Sequence, residues 1–506
     1  MLFIKRIAFY LILLTIISKI LGFFRDIVLA YYYGASSISD VYIISLTIPG
    51  TLFAFIGIAI STSFVPIYSS LMKEKSVLVA NKYLNNLISF LFVICTLLIG
   101  ILLIFTENII KIFAFGFDYE TLKLAILFTR ITAFGIYFSI VINIYIVFLN
   151  VRNVYLGPAF TGVPFNISII ISIIVSSQTN ILVLPFGLLF SLLIQFLYLK
   201  YFLKKVNYRY SFQVDFRNSS LQKTLILSLP VILGVSINQI NIIVDRTLAS
   251  YLEVGGIAAI NYSSKINEFA MGIFVISLLS FIYPRMVNLV QDNKNEKLVT
   301  ELQRLLKIIN LLIIPISLFG IVFSYEIVSL LYGRGAFNEG AINITSSLLK
   351  FYLIGLIAMS YREVLTKVFF AFQDTRTPTY NAALALVLNI ILNLLFSRIM
   401  GITGLALATS ISTFLTVILL SNSLKRRLPN YYLKNIFKHF IQIILITTVP
   451  LLIVKIIYSF FFANQFGLVF AGISYLFLLL LFYKIFKVKE LTILIDLIKS
   501  KINKKK

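Results

Sequence analysis

Ionisable residues stand inside apolar segments at two places about 219 residues apart. The first stretch runs from Arg25-Asp26 through Ala30 to Phe64-Val65-Pro66, and the second from Asp245-Arg246 through Ala249 to Ile282-Tyr283-Pro284. Ser18, Lys19, Gly22, Arg25 and Asp26 are spaced three, four and seven apart, which predicts one stripe of a helix. Asp40 opens the next apolar segment, and Arg130 lies in a later one. Lys265, Glu268 and Gly272 share a second stripe, and Arg362, Glu363 and Lys367 cluster in a third segment. Charge at membrane depth is costly, so it faces a partner, water or a ligand. One reading is a set of ion pairs, such as Arg25 with Asp26 or Glu363 with Lys367. The other is a central, water-filled cavity whose cations from both halves hold an anion, with phosphate or diphosphate as the candidate.

A second constellation is neutral but oxygen-rich. Asn238, Asn241 and Asp245 share a stripe, Asn389 and Asn393 lie one helical turn apart, and Thr409 lies on the following apolar segment. The oxygens of Asp245, Asn389, Asn393 and Thr409 suit Na⁺, or a proton on Asp245. The alternative is that Asp245 pairs with Arg246 or Arg362 while the asparagines hydrogen-bond between helices.

These residues must be positioned by membrane helices. Hydrophobic residues make up 60% of the 506, charged residues only 12%, and the mean hydropathy is +0.99. A soluble domain is about half apolar and a quarter charged. The net charge of +25 fits cytoplasmic loops and anionic headgroups rather than nucleic acid. The one cysteine, Cys95, lies in an apolar run and excludes an intrachain disulfide. The one histidine, His439, adjoins a basic stretch and is read as structural. Walker A, His-Glu metal and Gly-x-Ser-x-Gly patterns are all absent from the sequence, which argues against an ATP-driven pump and a hydrolase.

A span needs roughly 20 apolar residues, and about fourteen spans are expected, approximately at 5–33, 40–70, 83–106, 120–150, 156–177, 181–203, 223–250, 257–287, 304–326, 341–371, 379–397, 402–424, 436–459 and 465–486. Lys5-Arg6 precede the first run, but Lys19 interrupts it and no small-residue cleavage site follows, so it reads as a span rather than a leader. Lys and Arg crowd alternate loops, including Lys73 to Lys82, Lys204 to Arg217, Arg285 to Lys297 and Lys425 to Arg427. That alternation places both termini in the cytoplasm. The expected fold is an all-α polytopic membrane protein with two repeated six-helix lobes around a central cavity and two extra helices. The divisions are 1–220 (spans 1–6), 221–427 (spans 7–12) and 428–506 (spans 13–14 and a basic amphipathic tail, on the inner surface or solvated). Duplicated bundles of this kind are a common transporter design.

The motifs Ser18-Lys19-Ile20-Leu21-Gly22-Phe23-Phe24-Arg25-Asp26, Asp40, Ser63-Phe64-Val65-Pro66, Gln239-Ile240-Asn241, Tyr262-Ser263-Ser264-Lys265, Gly333-Arg334-Gly335-Ala336-Phe337 and Ala371-Phe372-Gln373-Asp374-Thr375-Arg376-Thr377-Pro378 together resemble the MurJ (MviN) family. These are lipid II flippases of the multidrug/oligosaccharidyl-lipid/polysaccharide exporter superfamily. The sequence departs from the family in three respects. Lys19 and Lys265 stand where arginine is usual, which keeps the charge but loses the bidentate fork. Pro49-Gly50-Thr51-Leu52-Phe53-Ala54 lacks the family's cavity arginine. Gly57 replaces a usual glutamate.

The resemblance implies movement of undecaprenyl-diphosphate-linked peptidoglycan precursor from the inner to the outer leaflet of a bacterial plasma membrane, with no catalysis. The diphosphate would sit on Lys19, Arg25 and Lys265, with Ser18, Asp26 and Asp40 in the same substrate site. The polyprenyl tail would follow a groove made by spans 13 and 14. Partners would be the lipid-linked diphosphate glycan and membrane lipids, no nucleic acid, and the protein would act as a monomer. No cofactor is implied beyond coupling to Na⁺ or H⁺. Two alternatives are a flippase for another polyprenyl-diphosphate glycan (capsule, teichoic or O-antigen type) and, more distantly, a membrane polyprenyl-phosphate glycosyltransferase.

Overall fold

The computed structural model describes residues 2–431, 433–461 and 465–492. We number the long helices α1 (Leu2–Tyr33), α2 (Ser37–Glu74), α3 (Val77–Ile104), α4 (Tyr119–Ala133 with Gly135–Val151), α5 (Leu156–Gln178), α6 (Val183–Lys205), α7 (Ser219–Ile232 with Gly234–Leu252), α8 (Gly256–Gln291), α9 (Asn295–Val322), α10 (Glu339–Ala371), α11 (Arg376–Met400), α12 (Thr403–Arg427), α13 (Lys434–Phe460) and α14 (Gly467–Ile485). Eleven of these are long and apolar enough to cross a membrane, and the bent pairs α4 (41°) and α7 (47°) bring the number to thirteen. With α1, 32 residues long, the fourteen expected segments each correspond to a helix. Short helices at Thr106–Phe113 and Ser324–Tyr332 fill two loops on the lysine-poor side.

The helices start where side chains can satisfy their free N–H groups. Ser36 accepts from the Ser39 N–H at the head of α2, Ser76 from Val79 at the head of α3, and Asn218 from Ser220 and Leu221 at the head of α7. The internal repeat survives into backbone detail. Each of α2 and α8 carries a wide π-type turn, Ala54–Ile58 and Met271–Ile276, which begin 217 residues apart. Each then carries a proline inside the helix, Pro66 and Pro284. A π-type turn frees a backbone carbonyl and bends the helix. In the first of these turns Gly57 lies under the Phe53 ring, where an added Cβ would come within 2.2 Å of a ring carbon.

The chain groups into two compact units, Met1–Ala258 with Arg334–Asn338, and Ala259–Gly333 with Glu339–Lys506. In the first unit, α1 packs on α5, α5 on α6, α2 on the first half of α4, and α7 on the second half of α2. An aromatic cluster joins α2, α3 and α4: the Phe64 and Tyr83 rings stack at 5.9 Å and Tyr68 meets Phe148 edge-on at 5.5 Å. The 206–218 connection docks on α3, where Asn86 exchanges hydrogen bonds with the Asp215 backbone (2.7 and 2.9 Å) and Asn85 accepts from the Tyr208 hydroxyl (2.6 Å). In the second unit, α12 packs between α10 and α11, and α13 and α14 reach the rest through α9. Phe323 meets Tyr458 edge-on at 5.3 Å, and Phe319 stacks on Tyr475 at 5.2 Å. The hydroxyls of Tyr475 and Tyr483 donate to the carbonyls of Pro315 and Leu311. The outward face of α14 is apolar and exposed at Phe470, Ile473, Leu476, Phe477 and Leu480, as a lipid-facing surface requires.

Turns with left-handed backbone divide by side. Five polar residues, Asn153, Asn207, Asn293, Gln373 and Lys487, take positive φ at helix C-termini on the lysine-rich side, while Gly34, Gly255, Gly335 and Gly401 do so on the other. Gly34 and Gly335 form a reciprocal clasp in the first unit. A Cβ on Gly34 would lie 2.5 Å from the Ala336 carbonyl oxygen, and one on Gly335 would lie 2.3 Å from that of Tyr31. The Ala336 N–H donates to that Tyr31 oxygen at 2.8 Å. Gly333-Arg334-Gly335 is thus a turn. At Asp374-Thr375-Arg376-Thr377-Pro378 the capping acceptor is Asp374, which takes the N–H (3.0 Å) and hydroxyl (2.7 Å) of Thr377.

Candidate functional site

The charged stripe of α1 forms, and one of its pairs is internal. Arg25 donates from Nε (3.1 Å) and Nη2 (2.9 Å) to one oxygen of the adjacent Asp26. The arginine side chain is 24% exposed and the aspartate 5%. The second Asp26 oxygen is buried without a hydrogen-bond partner among the described residues. Arg25 Nη1 reaches Asn166 of α5 at 3.4 Å. Asn166 also donates to the carbonyls of Gly162 (2.7 Å) and Ser18 (3.4 Å). Gly162 makes this crossing close, since a Cβ there would lie 2.0 Å from the Ser18 hydroxyl oxygen. Ser18 is thus a packing contact of α1 on α5. Asn166 had no part in the sequence reading, although an asparagine within an apolar span is the signal that would have found it.

Lys19 differs from Arg25. It is exposed and makes no ion pair among the described residues. Lys265, on α8 in the second unit, pairs with Glu268 one turn later at 2.7 Å, with the lysine 33% exposed. Beside it Asn267 is buried and donates to the Met359 sulfur at 3.2 Å. Two of the three expected phosphate-binding cations therefore carry a carboxylate neighbour, and Lys19 does not. Glu363 and Lys367 form a longer pair at 3.9 Å, and the Lys367 ammonium lies over the Tyr283 ring at 5.9 Å. Arg130 is exposed and points its Nε at the Thr106 hydroxyl at 3.4 Å.

Asp40 is 2% exposed. One of its oxygens accepts the Gly255 N–H at 2.9 Å and the other the Ala258 N–H at 2.7 Å. The Ala258 N–H lies in the first turn of α8, where no intrahelical acceptor exists, and Gly255 immediately precedes that helix. Asp40 supplies that cap from α2.

Among the oxygen-rich residues, Asn389, Asn393 and Thr409 come together between α11 and α12. Asn393 donates to the Asn389 side-chain oxygen at 3.0 Å, and Asn389 donates to Ser412 (3.3 Å) and Thr409 (3.4 Å). Asp245 belongs to α7 of the first unit. Among the described residues no group of three or more His, Cys, Asp or Glu side chains could hold a metal ion. Cys95 and His439 are both buried, at 1% and 7% exposure.

A duplicated helical bundle of this length, with cations in its first and eighth helices, defines a polytopic membrane carrier. A family model for "Lipid II flippase MurJ" matches residues 29–477. The chain is 30% identical over 419 residues to the probable lipid II flippase MurJ of Buchnera aphidicola subsp. Baizongia pistaciae, covering 81% of this chain and 82% of that one. It is 28% identical over 494 residues to the probable lipid II flippase MurJ of Thermotoga maritima, covering 94% and 95%. A solved lipid II flippase MurJ in an inward closed conformation superposes with a TM-score of 0.84 at 29% identity, covering 95% of this chain and 99% of that one. An inward-facing multidrug transporter of the MATE family shares the fold, with a TM-score of 0.68 at 14% identity. The chain belongs to the MurJ family of lipid II flippases.

Proposed function

We propose that this protein carries lipid II, the undecaprenyl-diphosphate-linked peptidoglycan precursor, from the inner to the outer leaflet of a bacterial plasma membrane. The repeated lobes alternate access to the two sides, without catalysis and as a monomer, with both termini in the cytoplasm. Lys19, Arg25 and Lys265 recognise the diphosphate, and the polyprenyl tail lies along α13 and α14. The observation that carries this reading is Lys19. An ammonium on a membrane-spanning helix with no carboxylate partner is costly unless an anion or water meets it. Arg25 and Lys265 join it by exchanging part of their pairing with Asp26 and Glu268 for phosphate oxygens. Asp40 acts through the α8 cap, and Ser18 and Asp26 hold Arg25 and α5 in place.

The test is growth rescue of a cell depleted of its own lipid II flippase. The wild-type chain restores growth. Lys19→Ala, Arg25→Ala and Lys265→Ala each abolish rescue at unchanged membrane abundance, and Lys265→Arg restores it. Full rescue by the triple alanine variant would remove the diphosphate assignment.

A further inference from the structure

At the lysine-rich end of the second unit a cavity of about 350 Å³ opens between the α9 side chain of Lys307, the head of α13 and the turn that follows α14. Its lining includes Lys307, Lys438, His439, Lys487, Lys489 and Glu490. The single carboxylate is already engaged. Glu490 lies 3.3 Å from His439 Nε2 and 3.5 Å from Lys307 Nζ. The other face of His439 lies 3.3 Å from Asn310, so the floor is a fixed Asn310–His439–Glu490 line. Lys438, Lys487 and Lys489 are exposed and have no carboxylate within ion-pair distance among the described residues.

The turn that presents Lys487 is itself unusual. After α14 the Val488 N–H donates to Tyr483 and the Lys487 N–H to Lys484, at 3.0 and 3.2 Å. This closing motif needs left-handed backbone at its central residue, where glycine or asparagine is preferred. Among the described residues, three of the five non-glycine residues with positive φ are asparagine and one is glutamine. Here a lysine takes φ 49°, and the same turn folds Lys489 and Glu490 back over α13. Three lysines with no carboxylate partner among the described residues line a space whose one carboxylate is already engaged. Hydration alone can satisfy them, but a concave site with several donors and a net positive field favours a compact, doubly charged, many-acceptor anion.

We propose that this cavity is a phosphate-binding site, separate from the Lys19, Arg25 and Lys265 cations, that takes either a free phosphate group or the phosphate of an anionic lipid headgroup. Basic pockets between helices at a membrane surface suit headgroup phosphates. Lys438, Lys487 and Lys489 grip the phosphate oxygens, and Glu490 sets the depth at which the group stops.

The experiment uses the full chain purified in neutral detergent. Binding is titrated with inorganic phosphate, with short-chain phosphatidylglycerol and with short-chain phosphatidylcholine, all at matched ionic strength in chloride. The wild type binds inorganic phosphate, phosphatidylglycerol or both saturably, and phosphatidylcholine far more weakly. The variant Lys438→Gln/Lys487→Asn/Lys489→Gln loses at least about tenfold in affinity, with its thermal unfolding unchanged because the three side chains are exposed and asparagine suits the turn. Lys434→Gln, which removes an exposed charge of the same helix outside the cavity, keeps wild-type affinity. Binding of inorganic phosphate identifies a free phosphate ligand, and binding of phosphatidylglycerol alone identifies a headgroup. Equal binding by wild type and triple variant, no saturable binding of either probe, or an equal loss in Lys434→Gln would each overturn the proposal.

Discussion

The Asp40 carboxylate accepts the backbone N–H of Ala258 at 2.7 Å, across 218 positions of sequence. With the Gly255 N–H on its other oxygen, it fixes the head of α8 to the head of α2. Removing an N-cap side chain costs about 0.5–2 kcal/mol, and a buried double acceptor belongs at the upper end. Asp40→Ala is expected to lower the melting temperature of the purified protein by several degrees, and Asp40→Asn by less, since one oxygen remains. An unchanged melting temperature together with lost rescue would instead make Asp40 a substrate contact.

The asparagine seam of α11 and α12 gives a second outcome. The Asn389 oxygen is engaged by Asn393, and its amide nitrogen faces Ser412 and Thr409. Leaving buried polar partners unpaired costs about 1–3 kcal/mol, so Asn389→Ala should destabilise the protein measurably. If hydrogen bonds between α11 and α12 are the whole role of these residues, sodium adds nothing. Wild-type melting temperatures should agree in NaCl and KCl at equal ionic strength across pH 6–8. A sodium-specific rise that Asp245→Asn removes would establish a cation site in its place.

Glu490 predicts a pH dependence. Its hydrogen bond with His439 lowers the carboxyl pKa, burial opposes this, and Lys307 adds to the lowering, which leaves it at about 2 against an ordinary 4.5. The folded value lies below the unfolded one. The contribution is therefore complete above about pH 4.5 and is lost as pH falls toward 2. The difference in melting temperature between wild type and Glu490→Gln should be largest above pH 5 and close on acidification. A constant gap from pH 6 to pH 3 would show that the pair contributes no pH-linked stability.

Topology is open to direct labelling. With Cys95 replaced by serine, single cysteines at Ser36 and Gln178 should react with an impermeant reagent on intact cells. Cysteines at Ser76 and Asn295 should react only after permeabilisation. Reversal at two of these four positions would invert the orientation deduced from the loop lysines.

The helices were legible because membrane spans write themselves as long apolar runs, and the repeat was legible because its charges and prolines recur at one spacing. The wide turns at Ala54–Ile58 and Met271–Ile276 were not, since Ala54-Phe55-Ile56-Gly57-Ile58 and Met271-Gly272-Ile273-Phe274-Val275-Ile276 read as ordinary apolar helix. The neighbouring pair Arg25–Asp26 could be anticipated from adjacency alone. The role of Asp40 could not, because its partners are backbone groups more than two hundred residues away. Glu490 was hidden for another reason. In sequence it is one acid in a lysine-rich tail, and only the reversal at Lys487 brings it to His439. The tail beyond residue 492 lies outside the described residues.

The two families of left-handed turns imply unequal room for engineering. At Gly34 and Gly335 the neighbouring backbone occupies the volume of a side chain, so these turns are closed to epitope tags, fluorophores or added residues. Asn153, Asn207, Asn293 and Gln373 already carry side chains in the same backbone conformation. Insertions should therefore be accepted at Asn153, Asn207, Asn293 and Gln373 and rejected at Gly34 and Gly335, and a circularly permuted chain should be cut at Asn293 rather than at Gly34.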